Sequence, residues 1–441
     1  MPCISEKANP LAGIATVPGD KSMSHRALML GAVALGETRI EGLLEGEDVL
    51  RTAEAMRKLG ADVEKGDDGV WMVAGRGVGG LREPDDVLDM GNSGTAARLL
   101  TGLVASHPFV TLFTGDASLR SRPMRRVTAP LSLMGASFTG RSGGGLPLAV
   151  RGADEPLPIR YESPVASAQV KSAILLAGLN APGVTRVVEP RPTRDHSETM
   201  LRHFGAEVTV EALDGGGRLA SVVGQPELEG RDVSVPADIS SAAFPMVAAL
   251  IVPDSDVTLT NIGINPLRTG IIESLRDMGG DIEIFNKGVE AGEAVGDIRV
   301  RHSKLRGRVI PADRAPSQID EYPILSVAAA FAEGETRMPG VGELRVKESD
   351  RLGRMAAILR ASGVETRETE ESLVVEGVAG APGGGARIET RLDHRIAMSA
   401  LVLGMGTVEP IAIDDAGPIE TSFPGFRHLM NDLGARISDQ G

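Results

Sequence analysis

Apolar residues recur at helical spacing along this chain, stop at a glycine, and then alternate with polar ones. The switch reads Met-Arg-Lys-Leu-Gly-Ala over 56–61, Leu-Ser-Leu-Met-Gly-Ala over 131–136 and Leu-Arg-His-Phe-Gly-Ala over 201–206. It returns as Leu-Arg-Asp-Met-Gly-Gly over 275–280, as a worn copy Leu-Arg-Ala-Ser-Gly-Val over 359–364, and as Met-Asn-Asp-Leu-Gly-Ala over 430–435. Glycine accepts the left-handed backbone that ends a helix. The segments that follow, such as Ala206-Glu-Val-Thr-Val and Asp281-Ile-Glu-Ile, carry the two-residue period of a strand. Strand-like runs also precede each helix, as in Gly36–Ile40 and Ser255–Thr260, and each repeat opens with a helix of small apolar residues, such as 166–179 or 324–332. The glycines Gly60, Gly135, Gly205, Gly279, Gly363 and Gly434 lie 75, 70, 74, 84 and 71 residues apart. Six copies at near-constant spacing predict six α/β repeats of one supersecondary unit.

A longer repeat sits above these. Val17-Pro-Gly-Asp-Lys-Ser22 is echoed 218 residues later by Val235-Pro-Ala-Asp-Ile-Ser240, and three repeats follow each copy. The expectation is two similar lobes of three repeats: residues 18–235, and residues 1–17 plus 236–441, with crossovers near 16–20 and 234–238.

Composition narrows the function. The net charge is −14 and aromatics are 3%, without the basic balance and stacking aromatics of a nucleic-acid binder. The longest apolar run, Phe244 to Pro253, is about half a membrane span. The start carries Glu6 and Lys7 with no apolar core, so no signal peptide is expected. Cys3 is the only cysteine, which excludes internal disulfides and cysteine-rich zinc sites and fits a reducing cytoplasm. An acidic chain can still hold anions where its cations converge.

The polar chemistry gathers where the repeats' first helices begin. These starts read Lys21-Ser22-Met-Ser-His-Arg26, Asn92-Ser-Gly94-Thr95-Ala-Ala-Arg98, Ser167-Ala168-Gln169-Val-Lys171, Asp238-Ile-Ser240-Ser241, Asp320-Glu-Tyr-Pro323 and Asp393-His-Arg395. Helix N-termini offer unpaired N–H groups and partial positive charge, and adjacent Lys and Arg make such an end a phosphate or carboxylate site. Ser22, Asn92 and Ser167 fit two roles, plain helix cap or ligand group. The run Lys347-Glu-Ser-Asp-Arg351 fits a solvated charge cluster or a site. Gly-Asp-Lys-Ser lacks the spacing of a Walker phosphate loop, and His196 and His394 lack metal-ligand spacing.

Taken in order, Pro18–Arg26, Gly91–Arg98, Arg122-Pro-Met124, Ser167-Ala-Gln169, Arg194, Asp320–Pro323, Arg345–Leu352 and Leu392–Met398 resemble the EPSP synthase (3-phosphoshikimate 1-carboxyvinyltransferase) family over nearly the whole chain. The Ser-Ala-Gln string is more similar to its divergent bacterial branch. The resemblance implies an α/β (α+β) fold of two lobes, each of three βαβαββ units, closing on substrate. It implies a cytoplasmic, monomeric transferase of the shikimate pathway, serving chorismate and aromatic amino-acid biosynthesis. Such an enzyme moves the enolpyruvyl group of phosphoenolpyruvate onto the 5-hydroxyl of shikimate 3-phosphate, and needs no metal or organic cofactor. Nucleic acid and membrane are not expected as partners.

Carried onto this sequence, the resemblance assigns shikimate 3-phosphate to Lys21, Ser22, Arg26, Ser167, Ala168, Gln169, Arg194, Asp320 and Lys347. It assigns phosphoenolpyruvate to Lys21, Asn92, Gly94, Thr95, Arg122, Gln169, Lys347, Arg351 and Arg395. Addition and elimination need two acid–base groups. Glu348 is expected to handle the carbon proton, and Asp320, assisted by Lys21, the 5-hydroxyl. There are two departures: Thr421 stands where many members have lysine before the Ser/Thr-Phe-Pro segment, and Leu99 replaces a proline common in the sensitive branch. The bare Gly94 implies inhibition by glyphosate. Two alternatives are a UDP-N-acetylglucosamine enolpyruvyltransferase, which usually carries an active-site loop cysteine, and an inactive binding homologue.

Overall fold

In a computed structural model, which describes residues 1–440, all six repeat glycines adopt positive φ, between 83° and 122°. Each follows a helix on the apolar-periodic segment: Glu47–Lys58, Arg125–Leu133, His196–His203, Gly270–Asp277, Arg351–Ala361 and Phe426–Leu433. A side chain at that backbone conformation would be strained, so the glycine both ends the helix and aims the next strand.

The third repeat shows the plan. Lead strand Arg160–Glu162 is followed by helix Ala168–Gly178, strand Val184–Glu189, helix His196–His203, and strands Val208–Ala212 and Arg218–Val223. The lead strand pairs parallel with the next strand (Tyr161 opposite Val187), and the last two strands add antiparallel (Val187 opposite Ala220, Val210 opposite Ala220). Five of the six sheets have this four-stranded order. In the sixth, Glu333–Pro339, Ser372–Val378 and Glu365–Glu368 form the sheet, and the lead strand is reduced to parallel bridges of Arg306 with Glu333 and Val309 with Arg337.

The chain forms two compact units. One comprises residues 19–235 with 290–293, and is called the first unit; the other, the second unit, comprises 1–18, 236–289 and 294–441. Three sheets are completed by strands from far along the chain. Val233–Ser234 leads Glu37–Glu41, Ala12–Ala15 leads Asp256–Gly263, and Cys3–Glu6 lies between Ile411–Ile413 and Arg436–Asp439. Residues 290–293, at the tip of the hairpin between Asp281–Glu290 and Glu293–Arg301, group with the first unit although both strands belong to the second unit's sheet.

Each unit has its own core. Its centre is made by the repeats' first helices, with small residues that let them approach. In the second unit Ile239–Ile251, Tyr322–Phe331 and His394–Gly404 pack mutually, and every residue of Ile239–Ile251 is buried. In the first unit Gly94–Val104 packs on both Lys21–Val33 and Ala168–Gly178. A Cβ at Gly102 would stand 2.3 Å from the Ala173 carbonyl oxygen, so only glycine permits this approach. Among the described residues no helix is long and apolar enough to cross a membrane.

Candidate active site

Four of the six helix starts carry a side-chain cap, and none is capped by the residues singled out as candidate caps. Asp20, Ser93, Asp238 and Asp393 accept from backbone N–H groups of Met23, Ala96, Ser240 and Arg395. Ser22 lies inside the first turn, Asn92 precedes its cap, and Ser167 occupies a cap position without making the side-chain hydrogen bond. Their polar groups therefore do not serve as plain caps.

In the first unit the cations are held by neighbours rather than left in solvent. Lys21 pairs with the buried carboxylate of Asp48, which sits in the first turn of Glu47–Lys58. Arg26 is buried (4% exposed). It donates from Nε to Ser197 Oγ, from Nη2 to Ser172 Oγ and from Nη1 to the Ser22 carbonyl, all at 2.8 Å. Burial pushes its guanidinium down to about 10, against the fields of Glu198 and Asp20, so it stays charged at neutral pH. Arg194 contributes to that field as a like charge. His25, buried beside Lys21 and Arg26, is pushed well below its ordinary value, first by burial and then by those cations. It is therefore a neutral ring, 2.7 Å through Nδ1 from Thr52 Oγ1.

The second and third helix starts meet because their helices pack so closely. Arg98 Nη1 donates to Gln169 Oε1 at 2.8 Å, and Gln169 Nε2 donates to Thr95 Oγ1 at 3.1 Å. Arg122 donates to Asn92 Oδ1 (2.6 Å) and Ser118 Oγ (3.0 Å), while Asn92 Nδ2 donates to Asp116 Oδ2 (2.6 Å). Gly94 opens its helix beside both guanidinium groups. Ala168, the first residue of the next helix, precedes Gln169. Arg98 carried no role in the sequence reading, although it ends the Gly91–Arg98 string. Four residues beyond Gly94 on one helix, it had the helical spacing that could have marked it.

The second unit gathers the carboxylates. Arg351 opens helix Arg351–Ala361 and is 1% exposed. Its Nε and Nη2 meet Asp393 at 2.9 and 3.2 Å, Nη2 meets Glu348 at 2.5 Å, and Nη1 lies 3.5 Å from Asp320. Lys347 Nζ is 3.3 Å from Asp320. Arg395 donates from Nη1 to the Asp320 carbonyl at 3.0 Å and lies 3.7 Å from Glu321, which also accepts from Ser240. Asp320, Lys347, Glu348, Arg351 and Arg395 are thus one cluster, with Asp393 and Glu321 as buried carboxylates that the sequence did not single out. Both fall within motif strings, but nothing local says which cation each meets. Thr421 donates to the Pro418 carbonyl at 2.7 Å, at the end of the single turn Gly417–Thr421, and Leu99 is buried in its helix.

Each of these groups has the cations to hold an anion, and that of the second unit has carboxylates that can exchange protons. Arginine forks suit phosphate and carboxylate, and the paired carboxylates on Arg351 supply acid–base groups. Comparison with known proteins agrees with this chemistry. Residues 5–430 match the family model for EPSP synthase (3-phosphoshikimate 1-carboxyvinyltransferase). The chain is 64% identical over 437 residues to the 3-phosphoshikimate 1-carboxyvinyltransferase of Paramagnetospirillum magneticum, covering 99% of this chain and 98% of that one. It is 62% identical over 443 residues to that of Granulibacter bethesdensis, covering 99% and 97%. Among solved structures, EPSP synthase from Acinetobacter baumannii superposes with a TM-score of 0.87 at 45% identity, covering 99% of this chain and all of that one. The enolpyruvyl transferase NikO from Streptomyces tendae, at 18% identity and a TM-score of 0.78 over 99% and 98% of the two chains, shares the fold.

Proposed function

The chain belongs to the EPSP synthase family, and from that we propose that it transfers the enolpyruvyl group of phosphoenolpyruvate to the 5-hydroxyl of shikimate 3-phosphate, as a cytoplasmic monomer. The observation that carries the reading at the level of residues is the pair of carboxylates, Asp320 and Glu348, on the one guanidinium of Arg351, with Lys347 beside Asp320.

In this reading Lys21, Ser22, Arg26, Ser167, Ala168, Gln169 and Arg194 bind shikimate 3-phosphate, with Asp320 and Lys347 at its hydroxyls. Phosphoenolpyruvate is held by Lys21, Arg122, Lys347 and Arg395, with Asn92, Gly94, Thr95 and Gln169 lining its place. Arg351 meets it only through Nη1, which also lies 3.5 Å from Asp320, because Nε and Nη2 are engaged by Asp393 and Glu348. Asp320, assisted by Lys21, takes the 5-hydroxyl proton as the oxygen bonds to C2 of phosphoenolpyruvate. Glu348 delivers a proton to C3, turning the methylene into a methyl. In the second half Glu348 recovers a methyl proton, the C2–O bond to phosphate breaks, and the enol ether forms. In net terms the hydroxyl proton leaves on inorganic phosphate, so no proton is consumed.

A phosphate-release assay tests this. Phosphate should appear only when phosphoenolpyruvate and shikimate 3-phosphate are both present. Release with UDP-N-acetylglucosamine in place of shikimate 3-phosphate, or none with either acceptor, overturns the reading. The sole cysteine, Cys3, is buried on a strand of the second unit, which already speaks against the first of these. Gel filtration should give the mass of one chain.

A further inference from the structure

Helix His196–His203 begins without a side-chain cap, since Asp195 at the cap position makes no such bond. Three consecutive buried side chains anchor its first turn instead. Ser197 Oγ accepts from Arg26 Nε and donates to Ser172 Oγ at 2.7 Å, and Glu198 lies 2.7 Å from Lys171 Nζ. The third is His196, whose Nδ1 is 2.6 Å from Glu293 Oε1, with both side chains 3% exposed. An ionised carboxylate only accepts, so Nδ1 carries the hydrogen. Nε2 is buried with no hydrogen-bond partner among the described residues, so Glu293 holds the ring by its one polar contact.

Glu293 is an unexpected partner. It lies 97 residues further along the chain, in the four-residue segment that groups with the first unit while its flanking strands belong to the second unit's sheet. Its charge is felt at Arg26, together with those of Glu198 and Asp20, and opposes that of Arg194. Two guanidinium groups near one another inside a protein need carboxylates around them before a phosphate arrives.

We propose that Glu293 is a positioning residue for shikimate 3-phosphate binding. It acts through His196 on the helix start that supplies Ser197 to Arg26 and follows directly on Arg194. The proposal rests on the functional reading above. It predicts a selective effect, because the anchored turn supplies Ser197 to Arg26, and Arg26 and Arg194 are both assigned to one substrate.

The test compares Glu293→Ala and Glu293→Gln with the parent chain. The readouts are calorimetric binding of shikimate 3-phosphate alone, and KM for each substrate with kcat. Glu293→Ala should weaken shikimate 3-phosphate binding by about tenfold or more, the size of a lost charged hydrogen bond. KM for phosphoenolpyruvate and kcat at saturation should stay within about threefold. Glutamine keeps an acceptor for Nδ1–H, so Glu293→Gln should recover most of the binding even if the alanine variant folds poorly. Binding within twofold of the parent in Glu293→Ala overturns the proposal. So does an equal rise of both KM values, or a glutamine variant no better than alanine. A parent chain that binds no shikimate 3-phosphate overturns the functional reading itself, an outcome visible before any variant is made.

Discussion

Arg351 and Asp393 are joined at two points inside the second unit, Nε to Oδ2 at 2.9 Å and Nη2 to Oδ1 at 3.2 Å. The same carboxylate accepts from Ser349 Oγ at 2.8 Å and from the Arg395 backbone N–H at 3.0 Å. One fully buried aspartate therefore fixes the guanidinium that carries Glu348, and also caps the helix that presents Arg395. Burial pushes the Asp393 carboxyl up, but Arg351 outweighs it and holds it below the usual aspartate range.

Asp393→Asn should cost about 3–5 kcal/mol of stability, because it leaves a buried guanidinium short of its partner. A lowered urea midpoint at pH 7 is the expected result. A carboxyl depressed by folding stabilises above its unfolded value, near 3.9, and loses that contribution as pH falls through its folded value. The gap between parent and variant should hold from pH 7 to about 4 and narrow only below that. A gap already closing above pH 5 would show that Arg351 does not dominate.

Glu348→Gln should leave shikimate 3-phosphate binding within about twofold and lower turnover by roughly a hundredfold or more, as for loss of an acid–base group. Glutamine retains a group for Arg351 but cannot exchange the carbon proton. Turnover within a factor of about three of the parent would remove Glu348 from the mechanism.

Lys171 lies between two buried carboxylates, 2.9 Å from Glu189 and 2.7 Å from Glu198. Burial opposes its charge, but the two carboxylates prevail and raise its pKa. Glu198 is also raised, by burial first, because one ammonium cannot satisfy two carboxylates. A lysine raised by folding contributes stability fully below its unfolded value and loses it only in strong alkali. A glutamate raised by folding contributes below its unfolded value, near 4.3, and loses this as pH rises through the folded value. Glu198→Gln should therefore be no less stable than the parent at pH 7, whereas Lys171→Met should cost about 3–5 kcal/mol. Urea unfolding of the two variants checks this, and equal losses would refute the unequal sharing.

A methyl at Gly94 would stand 2.8 Å from Arg98 Nη1 and 3.2 Å from Arg122 Nη1. Gly94→Ala should thus press on both guanidinium tips as well as narrow the ligand's place. Inhibition by glyphosate should weaken more than turnover does, with KM for phosphoenolpyruvate raised by a few-fold. Inhibition constants for parent and variant, at one phosphoenolpyruvate concentration relative to KM, decide the point. A parent insensitive to millimolar glyphosate would refute the argument from the bare glycine.

The sequence by itself determined the six helix–glycine–strand turns, because each depends on periodicity and one positive φ within about ten residues. It also marked the helix starts as candidate anion sites, since backbone N–H groups and adjacent cations need only local structure. Tertiary packing alone decided how charges pair. Arg98 reaches Gln169 across 71 residues, Arg351 reaches Asp393 across 42, and His196 reaches Glu293 across 97. Periodicity tells which face of a helix is buried, but not which distant carboxylate a buried arginine will meet. That choice follows from how closely two helices can pack, as where Gly102 meets Ala173, and from which strand joins a sheet last, as Cys3–Glu6 does between strands more than 400 residues away. Lys21 was legible as a cation, but its partner Asp48 was not, because a charge in a sequence has a sign and no address.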